Sequence, residues 1–240
     1  MRVCAPKILY ICTVTDHNEE VFKAKRKPKT PIKFKIQLND EQKLAKSTIL
    51  DSHITVVTGA AGSGKTLLAT AVGLDLLFRR EVEKLIITRP AVVAGEDLGY
   101  LPGDISEKMD PWLQPIYQNF YNLYGKDKID AKIQEGAIQI LPLGFIRGLT
   151  FTDAFIIADE VQNLTHKQTE ALLGRLGSGS KMVLCGDVAQ IDLKNKKMSG
   201  LSFLRRVEEE VEGFKFVSLK QNHRHEVVQK VLDVYKLYED

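Results

Sequence analysis

Short apolar runs alternate with longer stretches of mixed apolar and charged residues along most of the chain. Apolar runs of roughly four to eight residues, bounded by glycine, proline or charged residues, are typical of buried strands. The sequence therefore predicts strands at 8–14, 54–58, 84–88, 137–141, 154–158, 181–185 and 214–219. The intervening stretches predict helices after residues 39 and 66, at 116–136, 167–176 and 199–211, and finally through about 237. Such alternation indicates an α/β fold, with a mainly parallel sheet and helices on both faces.

A glycine-rich stretch follows the predicted strand at 54–58. It fits the phosphate-binding pattern G-x-x-x-x-G-K-[ST] at every fixed position, between a strand and a helix-forming run. The pattern predicts that backbone N–H groups of this loop cradle the phosphates of a nucleotide. Lys65 is expected to reach the β- and γ-phosphates, and the Thr66 hydroxyl to bind Mg²⁺. The predicted loop consists of Gly59, Ala60, Ala61, Gly62, Ser63, Gly64, Lys65 and Thr66.

Polar residues follow two later strands of the predicted sheet. The strand at 154–158 ends in Asp159 and Glu160. We expect Asp159 to hold Mg²⁺, directly or through water, and Glu160 to act as the general base for the attacking water. The strand at 181–185 leads to Gln190, which is expected to sense the γ-phosphate. The alternative for Gln190 is an amide that only caps a turn.

Several further residues have two interpretations that the sequence leaves open. Gln42 follows Asn39 by three residues, so it fits a helix cap, but its amide could also recognise adenine. Arg89 is either a substrate-phosphate contact or a surface ion pair. Arg224 is either an arginine finger on the γ-phosphate or a surface arginine at a helix start. Trp112 could stack on a base, although a core or interface position is commoner.

Charge and cysteine content bear on the partners and the cellular location of the protein. The 34 basic and 31 acidic residues leave a net charge of +3, which is too small to prove a nucleic-acid partner. The segment 23–31 is basic and interrupted by proline. We interpret it as a solvated connector rather than as a contact with a nucleic-acid phosphate backbone. We therefore expect 1–36 to be an appendage and 37–240 to be the ATPase domain. Three scattered cysteines favour a reducing, cytoplasmic location, and no apolar run approaches the roughly 18–20 residues of a membrane span.

The motifs of this chain occur in the order seen in the PhoH family, which the chain resembles from about residue 37 to 238. The resemblance implies a cytoplasmic ATP-binding protein induced by phosphate starvation, with a RecA-like lobe similar to the first motor lobe of superfamily-one helicases. It also implies adenine recognition by Gln42, γ-phosphate sensing by Gln190 and the finger role for Arg224. Leu149 stands where family members often have arginine, so no role for a second arginine is carried over there. The segments that carry the resemblance are 59–66, 89–104, 147–151, 159–163 and 186–190.

These features predict Mg²⁺-dependent ATP hydrolysis by a ring ATPase that acts on RNA or single-stranded DNA. A helicase motor normally closes ATP between two lobes, and this chain has length for one. Arg224 is then expected to act within its own lobe or on a neighbour's nucleotide, which predicts a closed ring, a homo-hexamer. One alternative is an ATP-dependent switch that binds a protein partner. A kinase is the other, although Asp159 and Glu160 with Gln190 suit water better than an acceptor.

Overall fold

The computed structural model describes residues 37–90, 105–193, 195–236 and 238, without the side chains of 105–113 and 236. The predicted strand at 8–14, the basic segment at 23–31, most of the segment 89–104 and the Trp112 side chain lie outside this description. The strands are β1 (Ile54–Gly59), β2 (Lys84–Arg89), β3 (Ile138–Pro142), β4 (Ala154–Ala158), β5 (Lys181–Gly186) and β6 (Phe214–Leu219). The helices are α1 (Asp40–Asp51), α2 (Lys65–Phe78), α3 (Ile105–Leu123), α4 (Lys126–Gln134), α5 (His166–Leu173), α6 (Gly200–Val207) and α7 (Glu226–Lys236).

The strands form one sheet in the order β3-β2-β4-β5-β1-β6, and every neighbouring pair is parallel. All carboxyl ends of the strands therefore meet at one edge. β5 lies between β1, which precedes the glycine-rich loop, and β4, which precedes the acidic pair. This arrangement confirms the predicted parallel sheet and brings the loops after β1, β4 and β5 together.

Helices cover both faces of the sheet, as predicted. Successive strand residues point to opposite faces, so Val57 and Ile157 pack with α1, α2, α3 and α4, whereas Val56 and Ile156 pack with α5 and α6. The central strands are buried on both faces, which explains their continuous apolar runs. Burying each of these aliphatic side chains stabilises the fold by about 1.5–3 kcal/mol. The core thus fixes the strand ends that bear the polar residues.

Most of 116–136 is helical, as predicted, but the structure divides the stretch into two helices. α3 begins at Ile105, before the predicted start, and ends at Leu123. Gly125 leaves the helical conformation with ψ of 136° and caps α4. The chain turns at this glycine, so that Ile129 of α4 becomes fully buried in the core.

Two other helices end earlier than predicted. α5 ends at Leu173, since the Arg175 carbonyl accepts a hydrogen bond from the Phe151 N–H at 3.0 Å. α6 ends at Val207, and the next residue, Glu208, accepts a hydrogen bond from the Phe216 N–H of β6 at 2.9 Å. A tertiary backbone contact thus marks the end of α5, and local periodicity overestimated the lengths of both helices.

The last helix, α7, carries an exposed apolar stripe. Val227, Val231, Val234 and Tyr235 recur at helical spacing, and each is about half exposed or more. In the described part of the chain, no helix combines the length and apolar character that crossing a bilayer requires. Among the described residues, none covers the stripe on α7.

Candidate nucleotide-binding site

The glycine-rich loop adopts a backbone that only glycine takes readily. Gly62 and Gly64 have φ of 87° and 85°, in the left-handed region. A Cβ at Gly62 would lie 2.7 Å from both the Arg224 Cγ and the Asn222 Oδ1. Gly64 is the N-cap of α2 and no side-chain hydrogen bond caps this helix, so the N–H groups of its first turn have no intrahelical acceptor. The predicted strand–loop–helix arrangement is therefore present in the structure.

Lys65 and Thr66, the first residues of α2, lie at the base of this loop. The Lys65 ammonium donates to the Gly59 carbonyl at 2.6 Å and to the Ala60 carbonyl at 3.1 Å. The Thr66 hydroxyl donates to the Asp159 carboxylate at 2.8 Å. The loop thus holds a positive charge, and the two predicted metal ligands are in direct contact.

Asp159 is buried at the end of β4. This burial, and secondarily the neighbouring Glu160 carboxylate, raise the pKa of Asp159, while the Thr66 hydrogen bond opposes the shift. A bound divalent cation would relieve both unfavourable effects. Hydroxyl and carboxylate oxygens side by side are the ligands that Mg²⁺ takes, so this pair fits a nucleotide-bound magnesium ion.

Glu160 projects beside this pair from a strained backbone. Its φ is 55°, which is uncommon for a residue other than glycine. One carboxylate oxygen accepts from the Gln162 amide nitrogen at 2.6 Å, and the other is 3.5 Å from the Arg89 guanidinium. Arg89 therefore forms an ion pair, as one of its two interpretations held, but the pair is with a residue of the site and is only partly exposed.

A cavity of about 320 Å³ joins these groups, which is the size expected for a small-molecule site. Eight predicted residues share its wall: Ala61, Gly62, Gly64, Lys65, Thr66, Asp159, Glu160 and Gln190. Among the lining residues that sequence reasoning missed, Asn119 of α3 and Asp187 are the two with amide or carboxylate side chains. Asp187 directly follows β5, so the rule that led to Asp159 could have found it. Asn119 lies within a helix, and no local pattern marks it.

Gln190 and Asp187 lie in the turn that follows β5. The Gln190 N–H donates to the Asp187 carbonyl at 3.1 Å, so the backbone of Gln190, and not its amide, closes the turn. Its side chain is exposed and faces the cavity. This position leaves the predicted sensing role as a proposal.

Gln42 takes part in the helix cap. Its amide oxygen accepts from the Asn39 N–H at 3.2 Å, and its own N–H donates to the Asn39 side chain, so the capping box of α1 is complete. Its amide nitrogen is 3.3 Å from the Ser63 carbonyl and 3.2 Å from the His223 ring. Gln42 is therefore placed beside the loop, with its oxygen engaged by the cap.

Arg224 lies against the glycine-rich loop of its own chain. A Cβ at Gly62 would be 3.1 Å from the Arg224 Nε, and the His223 N–H donates to the Gly62 carbonyl at 3.0 Å. The segment that carries both residues follows β6, the strand beside β1. Sequence spacing could not reveal this proximity, because more than a hundred residues separate the loop from the segment.

A parallel sheet with a phosphate-binding loop after β1, an acidic pair after β4 and β5 between them defines a RecA-like P-loop NTPase lobe. Within this class the chain belongs to the PhoH family: the family model described as PhoH-like protein matches residues 35–236.

Several relatives agree with this assignment. The PhoH-like protein of Synechocystis sp. is 43% identical over 189 residues, which cover 78% of this chain and 58% of the relative. The PhoH-like protein of Bacillus subtilis is 43% identical over 179 residues, which cover 74% of this chain and 56% of the relative. Protein PhoH2 of Mycolicibacterium smegmatis is 37% identical over 201 residues, covering 81% and 46%. The chain thus spans little more than half the length of the first two relatives.

Among solved structures, a Pif1 helicase from Candida albicans is similar with a TM-score of 0.45 and 18% identity, covering 82% of this chain and 43% of that chain. The large terminase of a thermophilic bacteriophage is similar with a TM-score of 0.49 and 10% identity, covering 82% and 50%.

Proposed function

We propose that this protein binds ATP with Mg²⁺ in the cavity beside the glycine-rich loop and hydrolyses the β–γ bond. The observation that carries the proposal is the 2.8 Å contact between the Thr66 hydroxyl and the Asp159 carboxylate, in a cavity that Lys65 and Glu160 also line. A cation site beside a phosphate cradle, with a second carboxylate free of the metal, is what hydrolysis of a nucleoside triphosphate requires.

Each group has a distinct role in this proposal. Lys65 leaves its loop carbonyls and neutralises charge on the β- and γ-phosphates, while Thr66 and Asp159 hold Mg²⁺. Glu160 accepts a proton from the attacking water, and Gln190 donates to the γ-phosphate. Arg224 acts within its own lobe, since its side chain already lies along Gly62.

Removing the Lys65 ammonium tests nucleotide binding. Lys65→Ala is expected to weaken ATP binding by about 10- to 100-fold, because it removes charge-assisted hydrogen bonds to phosphate. Lys43→Ala is the matched control, since Lys43 is an exposed lysine paired with Asp40 on α1. Isothermal titration with ATP and Mg²⁺ measures both variants. Equal affinity of Lys65→Ala and the wild type would refute this site.

We also propose that the ATPase acts on RNA or single-stranded DNA in the cytoplasm. An exposed aromatic pair supports this part: Phe203 meets His166 edge-on at 5.8 Å, and Lys167 and Lys197 are exposed beside it. Aromatic faces next to cations bind single strands by stacking and by phosphate contacts. The Thr165–Ser199 bridge joins this surface to the segments after β4 and β5.

Phosphate release measured with and without single-stranded RNA tests the nucleic-acid proposal. RNA should stimulate release, and Phe203→Ala should weaken RNA binding by about 1–3 kcal/mol. Leu44→Ala, at an exposed apolar position on α1, is the control and should leave RNA binding unchanged. Release unaffected by RNA would favour the protein-binding switch, and transfer of labelled phosphate to an acceptor would favour a kinase.

For assembly we propose a homo-hexameric ring in which α7 contributes to the subunit contact. The exposed stripe on α7 supports it, because apolar faces of this kind are commonly covered in oligomers. Arg224 contributes no argument for the ring, because it lies on the loop of its own chain. Light scattering gives the mass directly, and an active monomer would exclude the ring.

A further inference from the structure

A continuous chain of hydrogen bonds runs from Glu160 to the glycine-rich loop through two residues outside the proposed chemistry. The Gln162 amide nitrogen donates to the Glu160 carboxylate at 2.6 Å. The Gln162 amide oxygen accepts from the Asp187 N–H at 3.1 Å. The Asp187 carboxylate in turn accepts from the Ala61 N–H at 3.1 Å. Three segments that are distant in sequence are therefore joined at the cavity.

The orientation of the Gln162 amide in this chain is fixed. The Asp187 N–H can only donate, so it must face the amide oxygen of Gln162, and the NH₂ group then faces Glu160. A flipped amide would set its oxygen against the carboxylate and its nitrogen against the N–H. Both contacts would be repulsive, so a single arrangement remains.

Gln162 itself is held rigidly. It is 1% exposed, and its backbone carbonyl accepts a hydrogen bond from the Ser199 hydroxyl at 2.7 Å. Its amide oxygen lies over Gly186, where an added Cβ would approach it to 3.2 Å. These contacts with Asp187, Ser199 and Gly186 restrict Gln162 to one position, so it can hold a neighbouring side chain in place.

Glu160 needs such support. Its side chain is 36% exposed and its backbone is in the left-handed region, while its other contact, to Arg89, is a long 3.5 Å. Without the Gln162 bond, the carboxylate would be free to occupy several rotamers. A general base must lie within hydrogen-bond reach of the water that it activates, so such freedom would slow the reaction.

We propose that Gln162 is a positioning residue that aims Glu160, and that Asp187 ties this support to the phosphate-binding loop. The inference rests on the proposed function of Glu160 as general base. Asp187 has one carboxylate oxygen on the Ala61 N–H and the other on the Ala189 N–H at 3.0 Å. It thereby fixes the turn that carries Gln190 relative to the loop.

Two variants of Gln162 test the positioning role. Gln162→Met removes both amide contacts, whereas Gln162→Glu keeps an oxygen for the Asp187 N–H and sets a second carboxyl group against Glu160 in place of the amide donor. Both should lower kcat on the order of 100-fold, the effect of a small misplacement of a catalytic group, with unchanged affinity for ATP and Mg²⁺. Gln162→Glu also keeps the test valid if Gln162→Met does not fold.

Asn163→Ala is the matched control. Asn163 and Asp192 exchange two hydrogen bonds, at 3.0 and 2.8 Å, between the same two segments, but neither bond reaches Glu160. This variant should retain kcat within a few-fold of the wild type. Combined with Glu160→Gln, the Gln162→Met change should cause no further loss of kcat, because Gln162 acts only through Glu160.

The outcomes separate this inference from the proposed function. Wild-type kcat in Gln162→Glu, with Glu160→Gln inactive, would overturn the positioning role alone. Loss of ATP affinity in both Gln162 variants would also overturn it, since the amide would then support the loop rather than the base. Full turnover of Glu160→Gln would instead refute the base role, and the positioning role with it.

Discussion

Gly62 is the residue at which the glycine-rich loop and the Arg224 segment meet. A side chain there faces two separate costs, a strained φ of 87° and a collision with Arg224. We expect Gly62→Ala to destabilise the fold by about 1–2 kcal/mol from backbone strain, and also to weaken ATP binding because Arg224 must move. Denaturant unfolding and ATP titration measure the two effects separately.

Gly136→Ala is the control for this prediction. Gly136 has a similar φ of 71°, but an added Cβ would meet nothing within 4 Å. The variant should therefore lose comparable stability and keep the ATP affinity of the wild type. If both variants bound ATP as tightly as the wild type, the contact between Arg224 and the glycine-rich loop would make no contribution to ATP binding.

Tyr121 provides a prediction about pH. Burial, and then the hydrogen bond from its hydroxyl to Asp130, raise the pKa of Tyr121 to about 12. A folded-state pKa above the unfolded value of about 10 means that the contribution to stability is complete below pH 10 and is lost as the pH rises towards 12. We expect Tyr121→Phe to lose stability less steeply than the wild type over that range. Parallel urea titrations from pH 9 to 12 measure the difference; identical slopes would contradict the prediction.

The first turn of α1 fixes the segment that carries Arg224. The Glu41 carboxylate accepts from the Lys220 and Gln221 N–H groups at 2.8 and 3.1 Å. The Asn39 amide donates to the Gln221 side chain at 2.8 Å. Glu41, at the N-terminus of α1, thus holds two backbone N–H groups of the segment after β6. The same segment contacts the glycine-rich loop through His223 and Arg224.

We therefore expect Glu41→Ala to lower ATP affinity several-fold, because two backbone N–H groups lose their acceptor and the segment loosens. Asp40→Ala is the control, since Asp40 lies in the same first turn but pairs only with Lys43 on the surface. Fluorescence titration with a labelled nucleotide compares the two. A larger loss of affinity in Asp40→Ala than in Glu41→Ala would contradict the proposed role of Glu41 in holding the Arg224 segment.

Strands were easier to predict than helices in this chain. Each described strand lies within one residue of its apolar run, and in the central strands burial on both faces leaves a continuous apolar signal. The end of α5 depended on a distant partner, the Phe151 N–H, which no local sequence pattern indicates. The break between α3 and α4 had a local sign in Gly125, which the amphipathic pattern on either side concealed.

At the scale of the whole molecule, the order of the strands decides which polar residues meet. The pattern after each strand was enough to predict that Lys65, Asp159 and Gln190 would gather at one edge. Sequence alone could not reveal that β5 separates β1 from β4, and so brings Asp187 between the loop and Gln162. The contacts of Arg224 and of the His223 N–H with Gly62 likewise depend on β6 pairing beside β1.

The most direct test of the account compares ATP binding and phosphate release in the wild type and Glu160→Gln, with Mg²⁺ present. The substitution keeps the shape of the side chain and removes its basicity, so affinity should stay the same while turnover falls by about 10²- to 10⁴-fold. Undiminished turnover in this variant, or a wild type that does not bind ATP, would contradict the central claim.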